Sequence, residues 1–406
     1  MKITFEISSL NFLIKKTLMT FKKIAYQLHL YLGLISGLIF FIVCLTGAIW
    51  ALKLNGWVDQ EKLPEVSQGK HTTVVSPSSV IEIAKKEFKD KTPDYIEYSE
   101  DAPIKATFRG QGYNYSLQMD PYTGKVISVK GSDGSSGYDF WDFIGMGHFS
   151  LWLPYSIGQP IVGYSTLVFV IVIITGLILW IPKSKKALKY SLWFRWKKKT
   201  KMYKKVYDLH NILGFYAAFI LLIISLTGMV WALEWWSQGV YKVTSGGRVM
   251  PEWRMAQSDT LHVDTPAKDI YLGIDSLFSD LSQKAPTAQA FSIYLPNIED
   301  KASAIMITVF PDKKLYYNVD RYSFDKYTFK QVEVDHPYQG KYENKDFADK
   351  LRRMNYDIHI GAIGGTAGRL LVFLSTLFGM SLPLTGLYLY IRKRKKTKEK
   401  KSNIAE

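Results

Sequence analysis

Four long apolar stretches alternate with polar segments along the chain. They are residues 28–52, 161–181, 212–233 and 370–391, and none of them contains Asp, Glu, Lys or Arg. At a rise of about 1.5 Å per residue, each is long enough to cross a bilayer core of roughly 30 Å. The pattern therefore predicts four transmembrane helices, and it excludes a soluble enzyme and a disordered chain.

Positive charge is concentrated at one set of ends of these stretches. Residues 1–23, 182–205 and 392–406 hold 24 of the 52 Lys and Arg, but only 3 of the 36 Asp and Glu. Cytoplasmic loops carry an excess of Lys and Arg, so both termini and the central loop are expected inside the cell. Residues 53–158 and 234–358 are then expected outside. This topology, with contacts to anionic lipid, accounts for the net charge of +16, and no nucleic-acid partner is expected.

Processing and cysteine content set further limits. No cleavable signal is expected, because the stretch 28–52 is too long for the apolar part of a signal peptide. Residues 1–18 could be an extension ahead of an alternative start at Met19. Cys44 is the single cysteine and lies in mid-membrane, so the outside segments have no disulfide and no thiolate metal cluster.

The chain contains an internal repeat. A shift of 181 residues aligns the segment that begins at Leu28 with the one that begins at Leu209, and a weaker match relates the second and fourth stretches. All four stretches carry a Thr-Gly pair: Thr46-Gly47, Thr175-Gly176, Thr227-Gly228 and Thr385-Gly386. The sequence therefore predicts two parallel repeats, each consisting of a helix, an outside segment and a second helix.

Four of the seven histidines lie beside the stretches at repeat-matched positions. His29 and His210 begin the first and third stretches, near the expected cytoplasmic face. His148 and His359 precede the second and fourth stretches, near the expected outer face. One pair at each face is the arrangement that two bis-histidine haems stacked across a membrane require. The chain has no C-x-x-C-H motif, so such haems would be held without a covalent bond.

Small residues follow the first and third histidines. Gly33 and Gly37 come four and eight residues after His29, and Gly214 and Ala218 are spaced likewise after His210. Such a strip could present a flat face to a porphyrin, or it could serve close helix packing.

Other polar and aromatic residues near the stretches have less specific interpretations. Arg369, at the outer start of the fourth stretch, could bind a haem propionate or could extend toward the lipid headgroups. His71, His262 and His336 are expected at the surface of the outside segments. Tryptophans at the ends of the stretches are expected to form aromatic belts: Trp50, Trp180, Trp231, Trp235 and Trp236.

Each outside segment has the pattern of a small α+β unit. The first predicts a helix at 78–88, strands at 105–108, 113–119 and 125–129, and a turn at 120–124. The second predicts a helix at 270–284, strands at 290–294, 304–310 and 315–319, and Asp320 at the turn position.

These features together resemble the PepSY-associated transmembrane family, which includes iron-regulated membrane proteins and ferric siderophore reductases of the bacterial inner membrane. The resemblance rests on the helices from His29 to Trp50 and from His210 to Trp231, on the Thr-Gly pairs, and on the first insert, which looks like a PepSY unit. It covers nearly the whole chain. It implies an α-helical membrane protein with four transmembrane helices from two parallel repeats and two extracytoplasmic α+β PepSY-like inserts.

The implied division of the chain is as follows: 1–23 cytoplasmic N-terminus, 24–52 first span, 53–147 periplasmic PepSY-like domain, 148–181 interfacial segment and second span, 182–205 basic cytoplasmic loop, 206–233 third span, 234–358 second periplasmic PepSY-like domain, 359–391 interfacial segment and fourth span, and 392–406 basic cytoplasmic tail.

The resemblance also implies a function. The chain would be a haem b protein of the inner membrane that passes electrons outward to a ferric siderophore or another iron chelate. Its two haems would be ligated by the four histidines, with Arg369 as a further cofactor-binding residue. Because the chain has no G-x-G-x-x-G motif, the electron donor must be another molecule, either a cytoplasmic reductase or a membrane quinol.

Two other functions fit parts of the sequence. A PepSY-bearing membrane protein could modulate a protease or sense the state of the envelope without any redox centre. A parallel-repeat transporter would have broken helices and a charged group at the midplane. Pro383 interrupts the fourth stretch, but no charged residue lies in mid-membrane.

Overall fold

The computed structural model describes residues 2–58, 66, 73–88, 91–110, 113–133, 139–182, 184–262 and 266–405. The chain forms two compact units. The membrane unit consists of Met1–Asp59, Tyr138–Ser237 and Ile358–Glu406, and the insert unit consists of Gln60–Gly137 and Gln238–Asp357. The two inserts therefore fold together, although they are far apart in the sequence.

The α-helices in the described part of the chain are α1 (Lys2–Leu54), α2 (Pro77–Glu87), α3 (Phe140–Ser150), α4 (Tyr155–Trp180), α5 (Lys185–Ser191), α6 (Met202–Asp208), α7 (Gly214–Ala232), α8 (Glu234–Thr244), α9 (Ala267–Lys284), α10 (Phe347–His359) and α11 (Gly365–Ala405).

Four spans are long and apolar enough to cross a membrane, counted over the described residues: Thr20–Leu54, Tyr155–Trp180, Met202–Ala232 and Ala362–Thr397. The prediction of four transmembrane helices is confirmed. The third span joins α6 to α7 through a π-helical turn, Leu209–Leu213. We call the end at which Lys22, Lys205 and Lys393 lie the basic end, and the opposite end, from which the inserts leave, the insert end.

The spans pack in a ring in which each one contacts two others. The first span contacts α4 and α11, and α7 also contacts both of these helices. Apolar residues fill the centre, where the rings of Phe40 and Phe169 stack with centroids 3.3 Å apart beside Cys44. Gly37 faces α11, where a Cβ at this position would be in ordinary van der Waals contact with Pro383, at 3.4 Å.

Tight reversals at the insert end connect α3 to α4 and α10 to α11. Asp139 and Asp142 form a capping box that starts α3, and α3 packs on α1 and α4. Leu151 and Trp152 then adopt positive φ and turn the chain into α4. After α10, Gly361 has φ of 76°, and a Cβ there would lie 2.5 Å from the carbonyl oxygen of Gly368. Such a conformation and such a contact both favour glycine.

The insert unit contains a single eight-stranded antiparallel sheet. Its strands are β1 (Tyr95–Ser99), β2 (Ile104–Gly110), β3 (Tyr113–Met119), β4 (Val126–Asp133), β5 (Ala290–Tyr294), β6 (Ile305–Phe310), β7 (Asp320–Phe324) and β8 (Gln331–Val332), in the order β4-β3-β2-β1-β5-β6-β7-β8. Each insert supplies four consecutive strands, and the first strand of each pairs with that of the other. Sequence analysis treats the inserts as two units, whereas this pairing makes them one.

The seam between β1 and β5 lies at the centre of the apolar core. Ile96 pairs with Ile293, and both side chains are fully buried. The helices α2 and α9, one from each insert, contact each other and contribute Ile81 and Ile274 to the same core. At the start of α2, Ser78 donates hydrogen bonds from its amide and its hydroxyl to Asp275 on α9. The core is therefore continuous across the two inserts.

Matching turns follow the third strand of each insert. Asp120 Oδ1 accepts hydrogen bonds from the amides of Tyr122 and Thr123, and Asp325 Oδ1 accepts them from Tyr327 and Thr328. Both turns therefore have the sequence Asp-x-Tyr-Thr, which is an Asx turn. Their fifth residue has positive φ and is Gly124 in the first and Phe329 in the second.

These strands correct two local predictions for the inserts and add one strand that was not predicted. Asp320 was predicted to occupy the second turn, but it begins β7, and the turn starts five residues later. Residues 315–319 were predicted as a strand and form none. The strand β1, Tyr95–Ser99, was not predicted, because its side chains alternate over only five residues between polar segments.

The single core predicts that damage at the seam spreads to both inserts. Replacing Ile293 by Ala deletes buried methyl groups and should cost about 2–4 kcal/mol. Hydrogen exchange of the full chain in detergent, read by mass spectrometry, should show faster exchange in β2 and β3 as well as in β6. Leu272→Ala on α9, where the side chain is 51% exposed, is the control. Faster exchange confined to the second insert would contradict a single cooperative sheet.

Candidate functional site

Two pairs of histidines meet within the membrane unit. His29 on α1 faces His210 on the third span, with ring centroids 6.1 Å apart and planes at 80°. His148 on α3 faces His359, the last residue of α10, with centroids 6.4 Å apart and planes at 60°. We call these the basic-end pair and the insert-end pair. Each pair takes one histidine from the N-terminal half of the chain and one from the C-terminal half.

Three of the four imidazoles are held through Nδ1 by a main-chain carbonyl of a neighbouring helix, and the fourth is held by a threonine hydroxyl. The carbonyls belong to Val172 for His29, Val43 for His148 and Ile224 for His359, all at 3.0 Å, and the hydroxyl is that of Thr385 for His210. A carbonyl oxygen only accepts hydrogen bonds, so Nδ1 must carry the proton. The lone pair of the neutral ring is then on Nε2, the nitrogen that can bind a metal ion.

The threonines of the Thr-Gly pairs reinforce this tautomer at three of the four rings. The distances from Oγ1 to Nδ1 are 3.4 Å from Thr175 to His29, 3.0 Å from Thr227 to His359 and 2.9 Å from Thr385 to His210. Each hydroxyl also donates to a carbonyl one turn earlier in its own helix, as Thr385 does to Ser381 at 2.9 Å. Since the single hydroxyl proton is used there, Oγ1 accepts from the imidazole.

The glycines of the same pairs make room for the rings. A Cβ built on each glycine would lie close to the Cε1 atom of an imidazole: 2.8 Å for Gly47 and His148, 3.0 Å for Gly176 and His29, 3.2 Å for Gly228 and His359, and 3.3 Å for Gly386 and His210. From the sequence, the Thr-Gly pairs were interpreted as markers of the repeat and of the family, and their contact with the histidines was not predicted. Their constant spacing of 18 residues after His29 and after His210 was the signal that could have revealed this contact.

The π-helical turn places His210 differently from its repeat partner. His29 lies in a regular α-helix, whereas His210 is the second residue of the turn Leu209–Leu213. Just before this turn, the buried carboxylate of Asp208 accepts hydrogen bonds from Trp196 and Lys204. A π turn rotates the side chains that it contains relative to those of an α-helix, and such turns are frequent at functional sites.

A cavity of about 400 Å³ surrounds the basic-end pair. Its wall includes Gly33, Gly37, Gly214 and Ala218, which are the small residues that sequence analysis identified beside His29 and His210. Gly176 and Gly386 line it as well, and most of the remaining wall is apolar. Its size is in the range of sites for cofactors and other small molecules, roughly 300–1,000 Å³.

The donor set fits a metal ion that is bound mainly by a non-protein ligand. Imidazole nitrogens bind metal ions at about 2 Å, so two rings on opposite sides of one ion have centroids roughly 6 Å apart, as both pairs do. Among the described residues, no group of three or more His, Cys, Asp or Glu could hold a metal ion. A macrocycle that supplies the other ligands satisfies both observations, and a haem with two axial histidines is such a group.

Arg369, the other predicted cofactor-binding residue, lies near the start of α11. It donates a hydrogen bond to the side chain of Asn55, which follows α1, at 2.9 Å. The contact joins the first and fourth spans at the insert end. A role for Arg369 in holding a cofactor stays a prediction.

The three remaining histidines were expected at the surface, and for His336 this is wrong. His336 is 4% exposed in the insert unit, where Trp253 packs edge-on against it and Tyr338 stacks with it. Its Nδ1 accepts a hydrogen bond from the amide of Tyr338 at 3.2 Å. Burial, reinforced by the nearby Arg352 and Lys345, lowers the pKa of His336 to about 4.

The prediction for the other two histidines is not decided by these observations. His71 lies outside the described residues. His262 ends a short 3₁₀ helix, Thr260–His262, and its side chain also lies outside the described part of the chain.

The fold and the site define a multi-pass α-helical membrane protein in which histidines are paired between the spans. Residues 26–393 match the family model described as the PepSY-associated TM region, so the chain belongs to the PepSY-associated transmembrane family. The family that sequence analysis expected is thus confirmed. None of the curated proteins matches the chain.

The close contacts at the glycines predict a steric penalty. Gly47→Ala would place a methyl group 2.8 Å from His148 and should destabilise the protein by about 1–3 kcal/mol. Thermal unfolding in detergent measures the effect. The matched control is Gly239→Ala on α8, where a Cβ would meet nothing within 4 Å and the helix should be unchanged or slightly more stable. Equal stability of both variants would show that His148 does not pack against Gly47.

The buried His336 predicts acid sensitivity. Between the unfolded-state pKa near 6.5 and the folded value of about 4, the unfolded chain binds the proton more readily. The stability contributed by neutral His336 is therefore present above pH 6.5 and decreases as the pH falls toward 4, by at most about 3 kcal/mol. Thermal unfolding measured from pH 7.5 to 4.5 should show a smaller loss for His336→Gln than for the unmutated protein. Identical pH profiles would contradict this assignment.

Proposed function

We propose that this chain is a haem b protein that carries electrons across the bacterial inner membrane to a ferric chelate such as a ferric siderophore. His29 and His210 would ligate one haem, and His148 and His359 would ligate the other. The observation that carries the proposal is that all four imidazoles are half-buried between helices, in facing pairs with Nδ1 bound, so that each presents Nε2. This arrangement is the one that axial ligation requires.

The residues of the chain perform three tasks in this proposal. The carbonyls and threonines hold each ring in the tautomer whose Nε2 can bind iron. The glycines let the rings lie flat against the helices, and the apolar wall excludes water from the iron. Haem iron supplies, when bound, a one-electron couple whose potential depends on its axial ligands and on the exclusion of water.

The positions of the two pairs support transfer across the membrane. On α1, 18 residues separate His29 from Gly47, the contact of His148, which corresponds to about 27 Å along a helix. The pairs are therefore near opposite faces of the bilayer core. We infer from the concentration of Lys and Arg that the basic end faces the cytoplasm and that the inserts are periplasmic. The electron donor is then a cytoplasmic reductase or a membrane quinol.

Release of iron follows from the change in its charge. One electron converts Fe(III) to Fe(II), which is a softer ion and binds less tightly to the oxygen ligands of a siderophore. The donor supplies that electron, and the chelate loses its iron at the insert end. The insert unit is the part of the chain that is available to bind the chelate.

The contacts of the four histidines also support the proposed duplication. Within each half, the ring from one span lies against the Thr-Gly pair of the other span, and the second half repeats this exchange. The two inserts also correspond to each other, because each contributes one helix to the shared core and four strands to the sheet. Two parallel repeats would give these matched contacts.

Haem content tests the proposal directly. The full chain, purified in detergent, should show a reduced b-type spectrum after dithionite and two haems per chain. His210→Ala and His359→Ala should each contain one haem, because each removes a ligand from a different pair. His336→Gln, which changes a buried histidine outside both pairs, should retain two.

One result would overturn the proposal, and another would require a second pair of variants. A colourless protein that takes up no added haem would leave the insert unit as a binding or regulatory module, with no redox centre. If each single variant loses both haems and also loses helical structure by circular dichroism, the loss of haem is a result of unfolding and does not identify a ligand. In that case His210→Met and His359→Met, which keep a possible iron ligand, must shift the spectrum of one haem each, and unchanged spectra would refute the assignment.

A further inference from the structure

The basic-end cavity has polar side chains at its mouth that axial ligation does not use. Tyr26 and Tyr207 line the wall one helical turn before His29 and His210. Trp180 and Lys393 line it from α4 and α11. The wall beyond the histidines is mostly apolar, and the only lysine that lines the cavity among the described residues is Lys393, at its basic end.

Trp180 has an indole N–H with no acceptor. Its Nε1 atom is buried and lacks a hydrogen-bond partner in the described part of the structure, while its ring stacks on Phe215 with centroids 3.7 Å apart. A buried donor without a partner costs roughly 1–3 kcal/mol, so such groups usually face a ligand or water. Sequence analysis expected Trp180 in an aromatic belt. Its place in the cavity wall gives it a second possible role.

Lys393 supplies a positive charge at the same mouth. Its Nζ donates to the hydroxyl of Tyr26 at 2.7 Å and lies 4.6 Å from the centroid of that ring. Both contacts are with a neutral side chain, and among the described residues no carboxylate pairs with Lys393. The ammonium group can therefore receive an anion without breaking an existing ion pair.

We propose that Lys393, Tyr26 and Trp180 bind the carboxylates of the porphyrin held by His29 and His210. The proposal rests on the proposed function and extends it from the iron to the opposite part of the cofactor. The porphyrin of haem b carries two propionate groups on one edge. That edge points to the basic end, where Lys393 forms an ion pair and the hydroxyl of Tyr26 and the indole N–H of Trp180 donate hydrogen bonds.

Electrostatics favours this orientation over the reverse one. A carboxylate directed toward Phe40 and Leu221, at the other end of the cavity wall, would lose its hydration without gaining a partner. At the mouth, charge-assisted hydrogen bonds from an ammonium group offset the loss of water. The orientation also places the charged edge of the porphyrin among the Lys-rich ends of the spans.

The test compares two porphyrins on one site. The background is the full chain with His359→Ala, which retains only the basic-end pair. Haemin and its dimethyl ester, in which both carboxylates are masked, are titrated into haem-free protein in detergent, and the Soret band reports binding. Lys393→Met should weaken haemin by about ten-fold, and Trp180→Phe and Tyr26→Phe by less. The dimethyl ester should bind all variants alike. Lys395→Met, on the same part of α11, is the control.

Each outcome has a defined meaning. Equal haemin affinity for Lys393→Met and the background would refute the inference, because the lysine would then contribute nothing to the binding of the carboxylates. An equal loss for haemin and its ester would also refute it, because the lysine would then support folding. If the background binds neither porphyrin, the proposed function fails and the inference fails with it. Binding of both porphyrins without discrimination leaves the haem proposal intact and refutes the inference alone.

Discussion

A neutral imidazole inside a membrane must have a partner for its N–H, and the architecture of the spans follows from this constraint. Three rings donate from Nδ1 to a carbonyl that is already part of a helix, which is possible only if the two helices lie very close together, and His210 donates to the hydroxyl of Thr385. The glycine of each Thr-Gly pair permits that approach. At three of the rings, the threonine of the pair directs its own lone pair toward the imidazole. The hydrogen bond at Nδ1 thus determines the tautomer of the ring and the distance between the two helices. It also accounts for the glycine and the threonine beside the ring.

In both units, the two halves of the chain are joined by direct contacts. In the membrane unit, every histidine pair takes one ring from each half. In the insert unit, β1 and β5 form a seam through which the two α+β inserts share a core, with Ile96 and Ile293 at its centre. Pairing at this seam also removes two edge strands that would otherwise be exposed. Neither unit is complete within one half.

The spans, the paired histidines and the small residues beside them could be predicted from the sequence, because apolar length, periodicity and the 181-residue shift are local signals. The exchange between Gly47 and His148 could not, since it depends on which helices are neighbours. The π turn at His210 left no signal, because residues 209–213 also fit an α-helix. The second Asx turn was missed because Phe329 occupies the position where Gly124 would have indicated it. Burial of His336 depends on Trp253, which is 83 residues away in the sequence.

The shared pairs give the linker 182–205 a particular importance. It connects the two halves covalently, and it converts their association from a bimolecular into an intramolecular event. Such a tether commonly supplies an effective concentration of the order of millimolar. Two identical half-chains would have to find each other by diffusion in the lipid, and a substitution in one would occur in both. Within one chain, the matched positions of the two halves can hold different residues. Phe40 stacks on Phe169 in the first half, whereas Leu221 packs on Gly379 at the matched positions of the second half.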